Sequence, residues 1–239
     1  MSGYALVTGA SRGIGKAIAE ALAGEGYNLY LTCLNSEDTL REYSLYLSEK
    51  YGVIASPSIC DMGDYKAVEK LFSGINSLDI LVNNAGVSHF GLMSDTTPEE
   101  WDMIIRTNLS SVFYASRLAV PLMLRKGKGS IVNISSVWGE HGSSMETAYS
   151  ASKGGVNAFT KALARELAPS GIRVNALSLG MMDTDMNRHF SKEEIEDITE
   201  QIPSGRMGTP KEAAEAVISI IKAPSYLTGQ IITLDGGWC

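Results

Sequence analysis

Cysteine, histidine and positive charge are all in short supply in this chain. Its three cysteines, Cys33, Cys60 and Cys239, are odd in number and far apart, which suits neither a disulfide framework nor a metal site. His89, His141 and His189 form no ligand pair, so no metal is expected. Lys and Arg number 20 against 27 Asp and Glu, a formal charge of -7. That sign disfavours nucleic acid, whose phosphates need a basic surface. No apolar run approaches the roughly 20 residues of a membrane span. Met1-Ser2-Gly3 leads straight into a strand-like segment, without the basic and apolar regions of a secretory signal. A cytoplasmic protein with no membrane contact is expected. Linkers and internal repeats are also lacking, so residues 1–239 read as one domain with a full-sized core.

What the chain does have is alternation. Strand-like segments fall at Ala5 to Thr8, Asn28 to Leu34, Val53 to Ile59, Leu78 to Asn83, Gly129 to Ser135, Ile172 to Leu177 and Ile231 to Leu234, with helix-period runs between them. Their apolar character suits strands covered on both faces. Thr97-Pro98-Glu99-Glu100, Ser191-Lys192-Glu193-Glu194 and Thr209-Pro210-Lys211-Glu212 each read as a capping box that opens a helix. The predicted architecture is α/β: a doubly wound Rossmann fold, with a seven-stranded parallel sheet and helices on both faces. Ligands of such sheets lie beyond the carboxyl ends of the strands. Asp61, Asn83-Asn84-Ala85-Gly86 and Ser135-Ser136 all fall there.

The first strand runs into Gly9-Ala10-Ser11-Arg12-Gly13-Ile14-Gly15 and then a helix. Glycines let backbone approach a pyrophosphate, and the helix N-terminus offers free N–H groups with partial positive charge. A phosphate-bearing cofactor fits this turn. Further on, Tyr149 and Lys153 stand at i and i+4, on one helix face. A free phenol has a pKa of roughly 10. An ammonium about 4 Å away, at an effective dielectric of ~20, supplies roughly the 4 kcal/mol needed to bring that value near neutrality. The pair is expected to act as a proton donor, with Lys153 lowering the phenol's pKa.

Thr8-Gly9-x-x-x-Gly13-Ile14-Gly15, Asn83-Asn84-Ala85-Gly86, Ser136 and Tyr149-x-x-x-Lys153, in this order and spacing, resemble the short-chain dehydrogenase/reductase family. Arg173-Val174-Asn175-Ala176, Gly180-x-x-Asp183-Thr184-Asp185-Met186, Gly205-Arg206-Met207 and Thr228-Gly229-Gln230 extend the likeness along essentially the whole chain. The resemblance implies a catalytic set of Asn108, Ser136, Tyr149 and Lys153. In that set Tyr149 is the general acid of ketone reduction, Lys153 orients the nicotinamide ribose, and Ser136 holds the substrate oxygen. Asn108 anchors a water that leads protons to Lys153. It also implies that Gly9, Ser11, Gly13, Ile14 and Gly15 line the pyrophosphate, and that Asp61 and Met62 meet the adenine. Asn84, Ala85 and Gly86 would meet the adenosine ribose, and Thr184 the nicotinamide amide or the phosphates. A homotetramer is implied as well.

The second strand ends in Thr32-Cys33-Leu34-Asn35-Ser36, without the acid that would grip a ribose 2′-hydroxyl. Arg12 stands ready for a 2′-phosphate. The cofactor expected is NADP(H), with NAD(H) the alternative because Glu37 and Asp38 follow closely. The likeness is strongest to bacterial 3-oxoacyl-[acyl-carrier-protein] reductases, which implies a small-molecule or carrier-bound ketone as substrate. Arg117, Arg125, Lys126 and Lys128 are candidates for docking an acidic acyl carrier protein. Ser170, where carrier-using reductases tend to have a basic residue, speaks against it. Ser135-Ser136-Val137-Trp138-Gly139 also looks like a branch that reduces a ketone on modified elongation factor P. Trp138, His141, Met145, Met181, Met182 and Met186 are expected to shape the pocket. Leu179 stands where the family usually has proline, which would leave that turn freer. A non-catalytic dinucleotide sensor on the same fold is the rival of another class.

Overall fold

The structure, a computed structural model, describes residues 3–187 and 190–239, so the expectation about His189 lies outside the described residues. The strands are β1 (Tyr4–Val7), β2 (Asn28–Cys33), β3 (Ala55–Ile59), β4 (Ile80–Asn83), β5 (Gly129–Ser136), β6 (Ile172–Leu179) and β7 (Ile231–Leu234). They form one sheet in the order β3-β2-β1-β4-β5-β6-β7, with every pair parallel. The order reverses between β1 and β4, and a doubly wound sheet opens its crevice at that switch. The helices are α1 (Gly13–Gly24), α2 (Glu37–Tyr51), α3 (Tyr65–Ser73), α4 (Pro98–Ile105), α5 (Ser111–Lys126), α6 (Trp138–His141), α7 (Thr147–Leu167), α8 (Lys192–Gln201) and α9 (Pro210–Lys222).

Two apolar cores sit on the two faces of the sheet. One joins β1, β2 and β6 to α1, α2 and α9 through Val7, Ile18, Leu22, Leu31, Leu40 and Val217. The other joins Leu6, Leu81 and Ile131 to Val68, Ala119, Met123 and Leu167 of α3, α5 and α7. This two-sided burial explains the apolar runs. The exception is β3, Ala-Ser-Pro-Ser-Ile, which begins two residues later than its pattern suggests and is only partly covered. It is an edge strand, where Pro57 withholds no hydrogen bond that a neighbour needs.

The three predicted capping boxes all form, closing the N-termini of α4, α8 and α9. Leu179 does not loosen its turn. It lies in β6 in register with Ser136 and Leu234, is buried, and its carbonyl accepts from the Val137 amide at 3.0 Å. Strand pairing on both sides replaces the rigidity a proline would bring. Among the described residues no helix is long and apolar enough to cross a membrane, and no group of His, Cys, Asp and Glu is arranged to hold a metal ion.

Candidate active site

Gly9 and Gly13 both take positive φ, 66° and 55°, turning the chain from β1 into α1 in a conformation other residues resist. Arg12 is the N-cap of α1, yet no side chain caps this helix and no acid lies in its first turn. That contrasts with α4, α8 and α9, and it leaves the first amides of α1 to bind an anion. The floor of the cradle is equally specific. A side-chain carbon on Gly15 would overlap the carbonyl oxygen of Gly9 and the side-chain amide of Asn84. That amide ties β4 to the turn, donating to the carbonyls of Thr8 (2.9 Å) and Gly9 (3.0 Å). The Thr8 hydroxyl in turn accepts from the amides of Asn84 (3.0 Å) and Ala85 (2.9 Å). These features fit a nicotinamide dinucleotide: a glycine-lined turn, free amides, and a strand-end loop held alongside. Gly15→Ala is expected to destabilise the fold by more than about 2 kcal/mol despite alanine's better helix propensity, because backbone cannot yield as a side chain can. Thermal melts check this, and an unchanged midpoint would show that the cradle has slack.

Ser11 and Ile14 lie partly covered in the same turn. Asp61 uses one carboxylate oxygen to accept from the Gly63 amide at 2.8 Å, and Met62 is buried beneath it. Thr184, from the loop after β6, faces Gly13. Arg12 is exposed at the start of α1. Its guanidinium faces Asp185, with Nη1 3.7 Å from Oδ2.

Asn108 departs from its expected setting. It lies not in a regular helix but in a π-helical turn, Arg106–Ser110, joining α4 to α5. Such turns shift the helical register and recur at functional sites. Here the wider turn leaves the buried Asn108 amide free to bridge. It accepts from the Val87 amide (2.8 Å) and donates to the Val87 carbonyl (2.8 Å) and the Ser152 hydroxyl (3.1 Å). A side-chain carbon on Gly86 would lie 3.3 Å from the Asn108 Oδ1 and 3.7 Å from the Lys153 Nζ. Asn108, Gly86 and Lys153 therefore converge.

Lys153 is 5% exposed, and its ammonium donates to the Ile134 carbonyl at 2.8 Å while lying 5.6 Å from the Tyr149 ring centre. Burial lowers its pKa to about 8. Tyr149 behaves contrary to expectation. Burial pushes its pKa up to about 12; a hydrogen bond with Ser136 offsets part of the rise and Glu146 adds to it. The ammonium, held by a strand carbonyl, does not lower the phenol's pKa. Desolvation outweighs the pairing that i and i+4 spacing suggested. The phenol is therefore kept as an acid, and the lysine is the group poised near neutrality.

Close backbone approach explains the glycines of α7. A side-chain carbon on Gly155 would press on Leu109, and one on Gly154 would lie 3.3 Å from the Gly139 carbonyl oxygen. Both contacts lie within the chain; they seat α6 against Gly154 and the Arg106–Ser110 turn against Gly155. Buried polar residues extend the support. Asn83 donates to Asn133 (2.8 Å), Asn133 to Thr160 (2.8 Å) and Ser135 to Asn157 (2.6 Å), fixing α7 to β4 and β5. The sequence alone did not single out Ser152, Asn133, Asn157 and Thr160, and it gave Thr8 only as part of the glycine-turn motif. The available signal was Asn133 inside an otherwise apolar strand; Ser152, Asn157 and Thr160 lie on the buried face of α7.

The pocket rim differs in part from expectation. Met182 is buried in the core and bridges Gly208, and with Met181 it lines a small cavity beside Arg206, Glu212 and Asp235. Trp138 packs edge-on against Trp238, ring centres 5.0 Å apart. Met145 takes φ 64°, a strained value for a side-chain-bearing residue, and its carbonyl accepts from the Gly91 amide at 2.8 Å. Phe90 and Phe190 meet edge-on at 5.7 Å, linking the loops after β4 and β6. Arg125, Lys126 and Lys128 lie at the opposite end of β5 from Ser136. They precede β5, whereas Ser136 ends it, roughly 23 Å away at a rise of about 3.3 Å per residue. Lys126 is also held by Asp79 at 2.7 Å.

The short chain dehydrogenase family matches residues 3–195. An uncharacterized oxidoreductase, YmfI of Bacillus subtilis, is 42% identical, covering 100% of this chain and 99% of its own. The 3-oxoacyl-[acyl-carrier-protein] reductase FabG of Escherichia coli is 41% identical, covering 98% and 96%. The FabG of Aquifex aeolicus is 37% identical, covering 97% and 95%.

Proposed function

Since this chain belongs to the short chain dehydrogenase family, we propose that it reduces a ketone to a secondary alcohol with NADP(H), the substrate being a 3-oxoacyl thioester. The observation that carries this reading is the convergence of Tyr149, Ser136, Lys153 and Asn108 beside the glycine cradle. The bound dinucleotide supplies the hydride. Tyr149, neutral until about pH 12, gives its proton to the carbonyl oxygen as charge develops there. Ser136 steadies that oxygen by hydrogen bonding. Lys153 holds the nicotinamide ribose and, titrating near 8, passes a proton back toward the phenol. Asn108 shapes the path behind it through its contacts with Val87 and Ser152.

The thioester assignment draws on the names of the relatives and on the exposed apolar side chains of Phe90 and Met186, in the loops after β4 and β6. NADP(H) is supported by the lack of an acid at the end of β2. Glu37, the first acid beyond it, pairs with Arg41 at 2.6 Å. Arg12→Ala is expected to lower kcat/KM for NADPH by about tenfold and to leave NADH nearly unaffected; equal losses would defeat the reading.

An acidic carrier protein is not favoured as the docked form. Helix α8 carries Glu193, Glu194, Glu196, Asp197 and Glu200 against one Lys192. That charge speaks against docking of an acidic carrier. NADPH oxidation across free and carrier-bound 3-oxoacyl thioesters, other small ketones and modified elongation factor P decides. Turnover of 3-oxoacyl thioesters is expected, and their rejection would overturn the substrate. A homotetramer is part of the proposal, supported by the exposed Phe113 and Leu124 of α5, and sedimentation tests it.

A further inference from the structure

The Arg12 side chain is 75% exposed, yet it is not undirected. It reaches from the glycine turn to Asp185, the first residue of the short turn Asp185–Asn187 after β6. The neighbouring residues also meet. A side-chain carbon on Gly13 would lie 3.7 Å from the Thr184 methyl. Two adjacent residues of one loop therefore face two adjacent residues of the turn. On its other side the turn is tied to β2, through Ala10 N to Thr32 O (2.8 Å) and Gly9 N to Thr32 Oγ1 (3.4 Å). Arg12 thus lies between two positions for negative charge. One is the end of β2, where a 2′-phosphate is placed by the proposed cofactor reading. The other is Asp185.

We propose that Asp185 is a positioning residue that tunes the choice between NADP and NAD by drawing the Arg12 guanidinium away from the 2′-phosphate position. The inference rests on Arg12 being the phosphate's partner, as proposed above. An exposed ion pair at 3.7 Å is weak, so a 2′-phosphate displaces it, but the displaced contact is subtracted from NADP affinity. NAD carries no 2′-phosphate and does not need Arg12 to turn. Asp185 therefore narrows the preference that Arg12 creates.

The test is calorimetric titration of NADP+ and NAD+ into the wild type, Asp185→Asn, Asp185→Glu, Arg12→Ala and the Arg12→Ala/Asp185→Asn double variant. Asp185→Asn is expected to tighten NADP+ by about three- to fivefold, as loss of a surface pair allows, with NAD+ unchanged. Asp185→Glu keeps the charge and should stay near wild type. In the Arg12→Ala background the Asp185→Asn gain should vanish. Equal tightening of both dinucleotides, or a gain that persists without Arg12, overturns the role of Asp185 while the cofactor reading stands. An Arg12→Ala variant with an unchanged NADP+ to NAD+ ratio overturns the cofactor reading and the role of Asp185 with it.

Discussion

Tyr149→Phe lowers kcat for ketone reduction by about 10²- to 10⁴-fold while dinucleotide binding stays within a few-fold of wild type; this is the expected result if the phenol is the proton donor. The side chain sits at the start of α7, half-buried, with its ring beside the Lys153 ammonium and its hydroxyl bonded to Ser136. Removing one oxygen leaves the ring packing intact. The variant therefore separates proton transfer from architecture, which steady-state assay paired with a fluorescence titration of the dinucleotide would show. Persistent turnover would mean that another group protonates the product, and the proposed mechanism would fall. Persistent binding without turnover also excludes the sensor reading, since a sensor has no turnover to lose.

Lys153→Met is expected to abolish reduction and, at the same time, to make the protein more stable at pH 7. The lysine is buried, and its folded pKa of about 8 lies below its ordinary 10.5. Between those values the unfolded chain binds the extra proton, so the lysine's contribution makes stability rise as pH climbs from about 8 to 10.5. Below pH 8 the buried ammonium imposes its full cost, roughly 3 kcal/mol for a gap of this size. Methionine has a similar reach and no charge to desolvate. It leaves the Ile134 carbonyl without its donor, costing about 1 kcal/mol, so a net gain of about 2 kcal/mol remains. Urea unfolding at pH 7 and at pH 10.5 measures it. The gain should shrink at the higher pH, and a variant that is less stable at both would show that the ammonium is better solvated than its surroundings indicate. Activity of the wild type should fall through an alkaline limb near pH 8, because the deprotonated lysine no longer returns a proton.

Some of this was legible in the residues and some was not. The glycine turn, the strand-end clusters and the Tyr149 and Lys153 pair were found because each is local. A turn needs glycine within a few positions, and a helix face repeats every three or four. The state of the proton was not legible. Spacing placed a cation one turn from a phenol, but the Ile134 carbonyl that holds the ammonium comes from β5, 19 residues earlier. Burial then moved both groups in directions that pairing alone did not suggest. Asn108 was singled out, but the π-helical turn that presents it was not, because its bridge to Val87 and Ser152 joins segments far apart in the chain. The basic cluster before β5 was visible as charge; its placement at the far end of the strand from Ser136 was not.

The sequence by itself determined the order of strands and helices, the parallel sheet and the chemistry of the turn after β1. Periodicity, caps and glycine conformation are properties of neighbouring residues. Only the tertiary structure decided that Leu179 is locked, that Met182 belongs to the core, that Arg12 faces Asp185 and that Tyr149 is held as an acid. Each of those depends on which distant groups exclude water from a side chain or share its charge, and such partners meet only when the chain folds.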